Sequence, residues 1–291
     1  MFWYSEDFNQ DITSWNVSKV KDFSFMFQNA ESFNQNIGTW DVNKGQTFNS
    51  MFQYADAFNG TIGSWNITKA EDIQHMFDGA ISFNQELSNW NVSNITNFVK
   101  LFHASPFNQD ISSWNVSKGY SFQNMFNAAW QFDQNISSWD VSRGEDFSGM
   151  FGDDFNDYGV GYDFRLASIF NADISSWNVS KATSFSSMFR GNKHFNQDIS
   201  SWDITNVPSE GGFVSDCLSS FLCDSQPVLI SPKFIILSRQ LFESIPCLSG
   251  HHHLINISVT GKLRIHSVPL LYIFAMVLVV FQVVNLLLNH L

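Results

Sequence analysis

Two stretches of this 291-residue sequence hold residue types that do chemistry elsewhere. "CLSGHHH", residues 247–253, sets Cys247 beside His251, His252 and His253. A thiolate with imidazoles ligates zinc, but a zinc site needs a second half-site at conventional spacing, and none follows. "GDDFNDYGVGYDFRLASI", an insertion at about 152–169, collects Asp153, Asp154, Asp157 and Asp163 among glycines. Counted from Asp154 as a calcium loop, Asn156 and Gly159 fall correctly. Tyr158 stands where an oxygen ligand belongs and Arg165 where the bidentate Glu belongs, so the EF-hand frame fails. The four Asp residues read instead as a candidate protruding loop for a partner or cation. No nucleophile elbow, P-loop, dinucleotide fingerprint or HExxH occurs. The expectation is a non-enzyme with no cofactor and no metal. His75, His103 and His194 hold different positions in their units and read as surface residues.

The elements that would carry any site are set by repetition. Trp15, Trp40, Trp65, Trp90, Trp114, Trp139, Trp177 and Trp202 recur at spacings of 25, 25, 25, 24, 25, 38 and 25. A unit this small buries its apolar face only against stacked neighbours, so the period predicts a solenoid. In the unit from Phe8 to Ser32, Ile12, Trp15, Val17 and Val20 follow a rhythm close to the leucine-rich-repeat frame. Trp15 and Val17 alternate onto one face of a short strand. Phe23, Met26, Phe27 and Ala30 fall at i, i+3, i+4 and i+7, the spacing of one helical face. The fold class expected is α/β, a leucine-rich-repeat-like solenoid of about eight 25-residue coils, with a short strand and a short helix in each. An irregular region and a C-terminal hydrophobic helix follow it. Columns of Trp and Phe should supply most of the stability. A column of Asn9, Asn34, Asn59, Asn84, Asn108, Asn171 and Asn196, interrupted by Asp133, should tie adjacent turns through amide hydrogen bonds.

The outward strand positions form the candidate binding face. Ser14, Thr39, Ser64, Asn89, Ser113, Ser138, Ser176 and Ser201 make one row. Asn16, Asp41, Asn66, Asn91, Asn115, Asp140, Asn178 and Asp203 make the next. Such a polar lattice could meet a glycan or a protein surface through many weak contacts, or could simply keep the sheet solvated. Nine N-x-S/T sequons occur, four of them created by the repeated "NVS".

The formal charge of -12 disfavours phosphate backbones, so no nucleic-acid partner is expected. Cys217, Cys223 and Cys247 all lie outside the repeats, which therefore need no disulfide. Residues 1–206 are read as the repeat solenoid, N-terminally truncated because Met1, Phe2 and Phe8 align with Met26, Phe27 and Phe33. Residues 207–267 are read as a divergent cap or linker. Residues 268–288 hold no charged side chain over 21 positions, enough to cross a bilayer as a helix. Small residues Ser258 and Gly261 before this tail would also suit a cleaved lipid anchor.

The unit "FNQDISSWNVSK…F..MF..A" resembles the BspA-like leucine-rich-repeat surface proteins, including the mycoplasma-type surface-protein repeat of unknown function, over residues 1 to about 206. The resemblance implies a non-enzymatic protein of the cell surface, with an extracellular repeat region that binds protein or glycan ligands. Membrane attachment would run through 268–288. Lys262 and Arg264 before that span favour the opposite orientation. The alternative is therefore a cytosolic tail-anchored interaction scaffold.

Overall fold

The computed structural model describes residues 1–153, 168–192, 194–207, 256–257 and 263–264. The chain divides into two units, Met1–Ser244 and Ile245–Leu291. In the second, strand β1 (Asn256–Ile257) pairs antiparallel with β2 (Leu263–Arg264). Asp154, Asp157 and Asp163, the Cys247–His253 stretch and the 268–288 span lie outside the described residues. Among the described residues no helix is long and apolar enough to cross a membrane.

The first unit is built by repetition of one coil, and its backbone hydrogen bonds explain how. The N–H groups of Phe23, Phe25, Phe27 and Asn29 donate to the carbonyls of Thr47, Asn49, Met51 and Gln53 in the next coil, at 2.8–2.9 Å. Phe48, Ser50, Phe52 and Tyr54 repeat this toward Asp72, Gln74, Met76 and Asp78. Parallel bridges run Asp22 to Thr47 to Asp72, and Asn97 to Ser121 to Asp146 to Ser184. N–H groups between these rungs turn back within the coil, Met26 to Phe23 and Ala30 to Phe27. From Phe23 to Ala30 every N–H is thus spent either on the neighbour or on a tight turn.

This division of donors is why the spacing that predicts a short helix yields none. The described residues contain no α-helix. Phe25 and Asn29 have φ of 58° and 57°, left-handed values at the third position of two successive turns, the φ pattern of type II turns. Two such turns back to back bury positions 23, 26/27 and 30 together, which reproduces a helical spacing without a helix. Each coil likewise carries bridges rather than an extended strand.

Stacking gives the core. Rings of Phe27, Phe52, Phe77, Phe102, Phe126, Phe151 and Phe189 lie 5.6–5.9 Å apart from coil to coil, near parallel. Within a coil Phe52 stacks on Phe58 at 3.8 Å. These rings are sealed from solvent, and burying each contributes on the order of 2–3 kcal/mol. Each indole from Trp40 to Trp202 donates its Nε1–H to the carbonyl of an Ile or Leu one coil earlier, at 3.0–3.2 Å. Trp15 heads that column and is 39% exposed, against 3–7% for the others.

Candidate contact surface

Two turns per coil position the outward residues. In the first coil the backbone N–H of Val20 closes onto the carbonyl of Val17, and the equivalent bond recurs in all eight coils at 2.7–3.1 Å. Just before it, the side-chain oxygen of Asn16 accepts the N–H of Ser18 at 3.1 Å. Asp41, Asn66, Asn91, Asn115, Asp140, Asn178 and Asp203 do the same, at 3.0–3.2 Å. This Asx turn is why the row admits only Asn and Asp: both carry the acceptor at the right reach.

The neighbouring row is also fastened. The hydroxyls of Thr39, Ser64, Ser113, Ser138, Ser176 and Ser201 donate to carbonyls of the preceding coil, at 2.9–3.4 Å. All sixteen residues of the two rows are exposed. The structure therefore places them on one surface, yet all but Ser14 and Asn89 spend part of their hydrogen-bonding capacity internally. What remains is directional. The amide Nδ2 of Asn16, Asn66, Asn91, Asn115 and Asn178 has no intrachain partner among the described residues and can donate. The Ser hydroxyl protons point at backbone, which leaves oxygen lone pairs as acceptors.

A third row was not legible as a site. Asp11, Asn36, Asp110, Asn135, Asp173 and Asp198 accept N–H bonds two residues on, in a second Asx turn. The Thr13 hydroxyl and then its N–H hold the Asp11 carboxyl below its usual range. For Asp110, Asp173 and Asp198 the serine N–H acts first and its hydroxyl second, in the same direction. The Ser142 hydroxyl and N–H, with the Arg143 charge, lower Asp140.

The Asn column also ties coils together, as its spacing suggests. Asn34, Asn59, Asn84, Asn108, Asp133, Asn171 and Asn196 each donate a backbone N–H to the side-chain oxygen one coil earlier, at 2.7–3.1 Å. Asp153 is buried, and its N–H donates to the Arg190 carbonyl at 2.6 Å. It belongs to the stacked coil rather than to a protruding loop.

Two of the three histidines depart from the surface reading. His103 is 2% exposed, and its Nδ1 lies 2.7 Å from Oδ1 of the buried Asp78. His75 approaches the other oxygen, Oδ2, at 3.0 Å. Gln53 donates to Oδ2 at 2.8 Å and receives a bond from Gln28. Burial pushes the Asp78 carboxyl up, but the hydrogen bonds and charges of His103 and His75 outweigh it and hold it well below the usual range. An ionised carboxylate only accepts, so both Nδ1 atoms carry the proton. His103 and Asp78 are closed to solvent, which suits a clamp between coils and gives a substrate no access. The signal was present in the sequence, because 78 and 103 differ by one period. His194 is exposed. Among the described residues no group of His, Cys, Asp and Glu is placed to hold a metal ion.

A family model described as "Mycoplasma protein of unknown function, DUF285" matches residues 1–89, 61–158 and 159–219. No curated protein and no solved structure matches the chain.

Proposed function

From the premise that this chain belongs to the DUF285 family of mycoplasma proteins of unknown function, we propose that it is a non-enzymatic cell-surface repeat protein. Its stacked coils form a leucine-rich-repeat-like solenoid of the BspA-like kind, displayed outside the cell, and its hydroxyl–amide face mediates adhesion to protein or glycan ligands. One observation carries this reading. The two outward rows are exposed on every coil, and fourteen of their sixteen residues are held by their own hydrogen bonds, so a ligand meets groups largely fixed in place and little ordering cost remains. Rows of donors beside rows of acceptors suit a partner rich in hydroxyls or backbone amides, bound through many weak contacts.

The test changes what the face offers while sparing the turn. Asn→Asp at Asn66, Asn91, Asn115 and Asn178 keeps the Asx-turn acceptor, as Asp41, Asp140 and Asp203 already do, and removes four outward amide donors. Against a panel of immobilised glycans and matrix proteins, the variant should melt like the parent and lose binding to whatever the parent retains. Equal retention by both, or no retention of the parent, overturns the reading. Protease treatment of intact cells tests display. Loss of the repeats supports it, and protection supports the tail-anchored scaffold facing the cytosol.

A further inference from the structure

The corner that follows the Asx turn carries a second surface. The third position of the shared turn, one residue before the N–H that closes it, is occupied by Lys19, Lys44, Lys69, Asn94, Lys118, Arg143, Lys181 and Asn206 in successive coils. Six of the chain's 15 Lys and Arg residues thus fall into one column, and all six are exposed. The turn bond from Val20 to Val17 and its seven equivalents hold every member at the same corner. Coils paired as parallel strands are about 4.8 Å apart, so the cations stand in two files of three, with Asn94 between them.

Uniformity elsewhere on this surface has an internal cause. The row at Asn16 needs a side-chain acceptor, and the row at Thr39 to Ser201 donates to the preceding coil. The basic column has no such cause. Among the described residues none of the six makes an ion pair, and one intrachain bond is seen, from Lys118 Nζ to Asn94 Oδ1 at 2.9 Å. Two residues further on, the equally repeated position drifts through Lys21, Gln46, Glu71, Thr96, Tyr120, Glu145 and Thr183. Copying alone would have preserved or lost both positions alike. A file of like charges at this spacing also opposes folding through mutual repulsion. A residue type kept although only Lys118 has an internal hydrogen bond and only Arg143 acts on a neighbouring carboxylate, and kept against its own repulsion, points outward for its purpose.

We propose that this corner binds a linear anionic polysaccharide, its carboxylate or sulfate groups running along the coil axis and meeting one cation per coil. A linear glycan advances by a similar length per sugar ring, so successive acidic groups can track successive coils. The surroundings select this partner. Asp41 and Asp140 stand three residues before the column, and Glu71 and Glu145 two residues after it. A flat anionic membrane would press on these acids as well as on the cations, whereas a single chain can follow the cations alone. Duplex DNA carries its charges far more densely than one per coil, at about one per 1.7 Å of axis. An open depression lined by Gln46, Thr68, Lys69, Glu71 and Asn94 lies at the break between the two files, where the polar Gln46, Thr68 and Asn94 can meet sugar hydroxyls and Lys69 an acidic group. This inference does not rest on the hydroxyl–amide face.

The test uses the full chain and K19Q/K44Q/K69Q, three side chains with no intrachain bond to lose. Heparin and polygalacturonate serve as sulfated and carboxylated probes, dextran as the neutral one, and phosphatidylserine vesicles and duplex DNA as the competing classes. The parent should bind both polyanions and not dextran, with affinity falling steeply as salt rises. By counterion release at about 0.7 per contacted cation, the variant should lower the log–log salt slope by about 2 and bind about tenfold or more weakly, with an unchanged melt. Its retention on partners of the hydroxyl–amide face should not change, so either reading can fail alone. Absence of polyanion binding, an unaltered slope in the variant, or preference for vesicles or DNA overturns the proposal.

Discussion

Replacing Asp78 with Ala should be among the most damaging single changes in the described coils. The carboxylate accepts from His103 at 2.7 Å, His75 at 3.0 Å and Gln53 at 2.8 Å. His103 is 2% exposed and cannot find water, so its stranded Nδ1–H costs about 1–3 kcal/mol. The His75 side chain is 30% exposed, and Gln53 is half-buried; both rehydrate in part, adding about 0.5–1 kcal/mol each. The sum is about 2–5 kcal/mol, while the Tyr54 N–H bond to the Asp78 carbonyl survives. Equilibrium urea unfolding followed by tryptophan fluorescence measures it. A double-mutant cycle with His103→Ala should return a coupling of at least ~1 kcal/mol. If Asp78→Ala unfolds within ~0.5 kcal/mol of the parent, the clamp contributes nothing and the reasoning fails.

The same group sets an acid limb. Because the folded carboxyl is held below its ordinary value of 3.8, its contribution is fully present above that value and lost as pH falls through the lowered one. Melts from pH 6 to pH 2 should show this loss, and Asp78→Asn should flatten it; parallel curves would refute the assignment. Backbone handedness gives a paired prediction. Gly149 has φ of 63°, and a Cβ there would stand 1.9 Å from Asn124 Oδ1, so Gly149→Ala should destabilise by about 1–3 kcal/mol. Ala128 has φ of 53°, and Ala128→Gly should be neutral or stabilise by up to about 1 kcal/mol. Thermal melts that reverse the order of these two variants would exclude left-handed strain as the cause.

The period, the Trp register and the Phe columns could be read from the sequence because a repeated unit names its own neighbours: residue i must meet residue i+25. The local conformation could not. Phe23, Met26, Phe27 and Ala30 satisfy a helical spacing, but the same burial follows from two consecutive turns, and only the destination of each N–H distinguishes them. His103 was missed for a different reason. Its column, Gln28, Gln53, Asp78, His103 and Asn127, mixes residue types, so a search for like residues in register passes over it, although complementary types in register make the stronger bond. The outward rows were visible, while their inward bonds depend on hydroxyl and carbonyl directions that spacing does not encode.

Ile73 offers a sharper test of whether register, rather than local fit, determines packing. It takes the place held by Phe23 and Phe48 in earlier coils and by Phe98, Phe122, Phe147 and Phe185 in later ones. Stacked pairs in that column are 5.0–5.4 Å apart, and Ile73 breaks the series while being fully buried. Enlarging a packed core residue ordinarily costs about 1–3 kcal/mol. Here the neighbouring coils already shape the slot for a ring. The residue three positions earlier is Ala70, and Ala182 stands in the same relation to Phe185, so no larger side chain blocks it. A ring at this position gains partners in Phe48 and Phe98, each worth about 0.5–1.5 kcal/mol. Ile73→Phe should therefore leave stability unchanged or raise it by about 1 kcal/mol in urea unfolding. A loss of more than about 2 kcal/mol, the ordinary overpacking result, would mean that each coil is fitted individually and that equivalence between coils does not extend to their interiors.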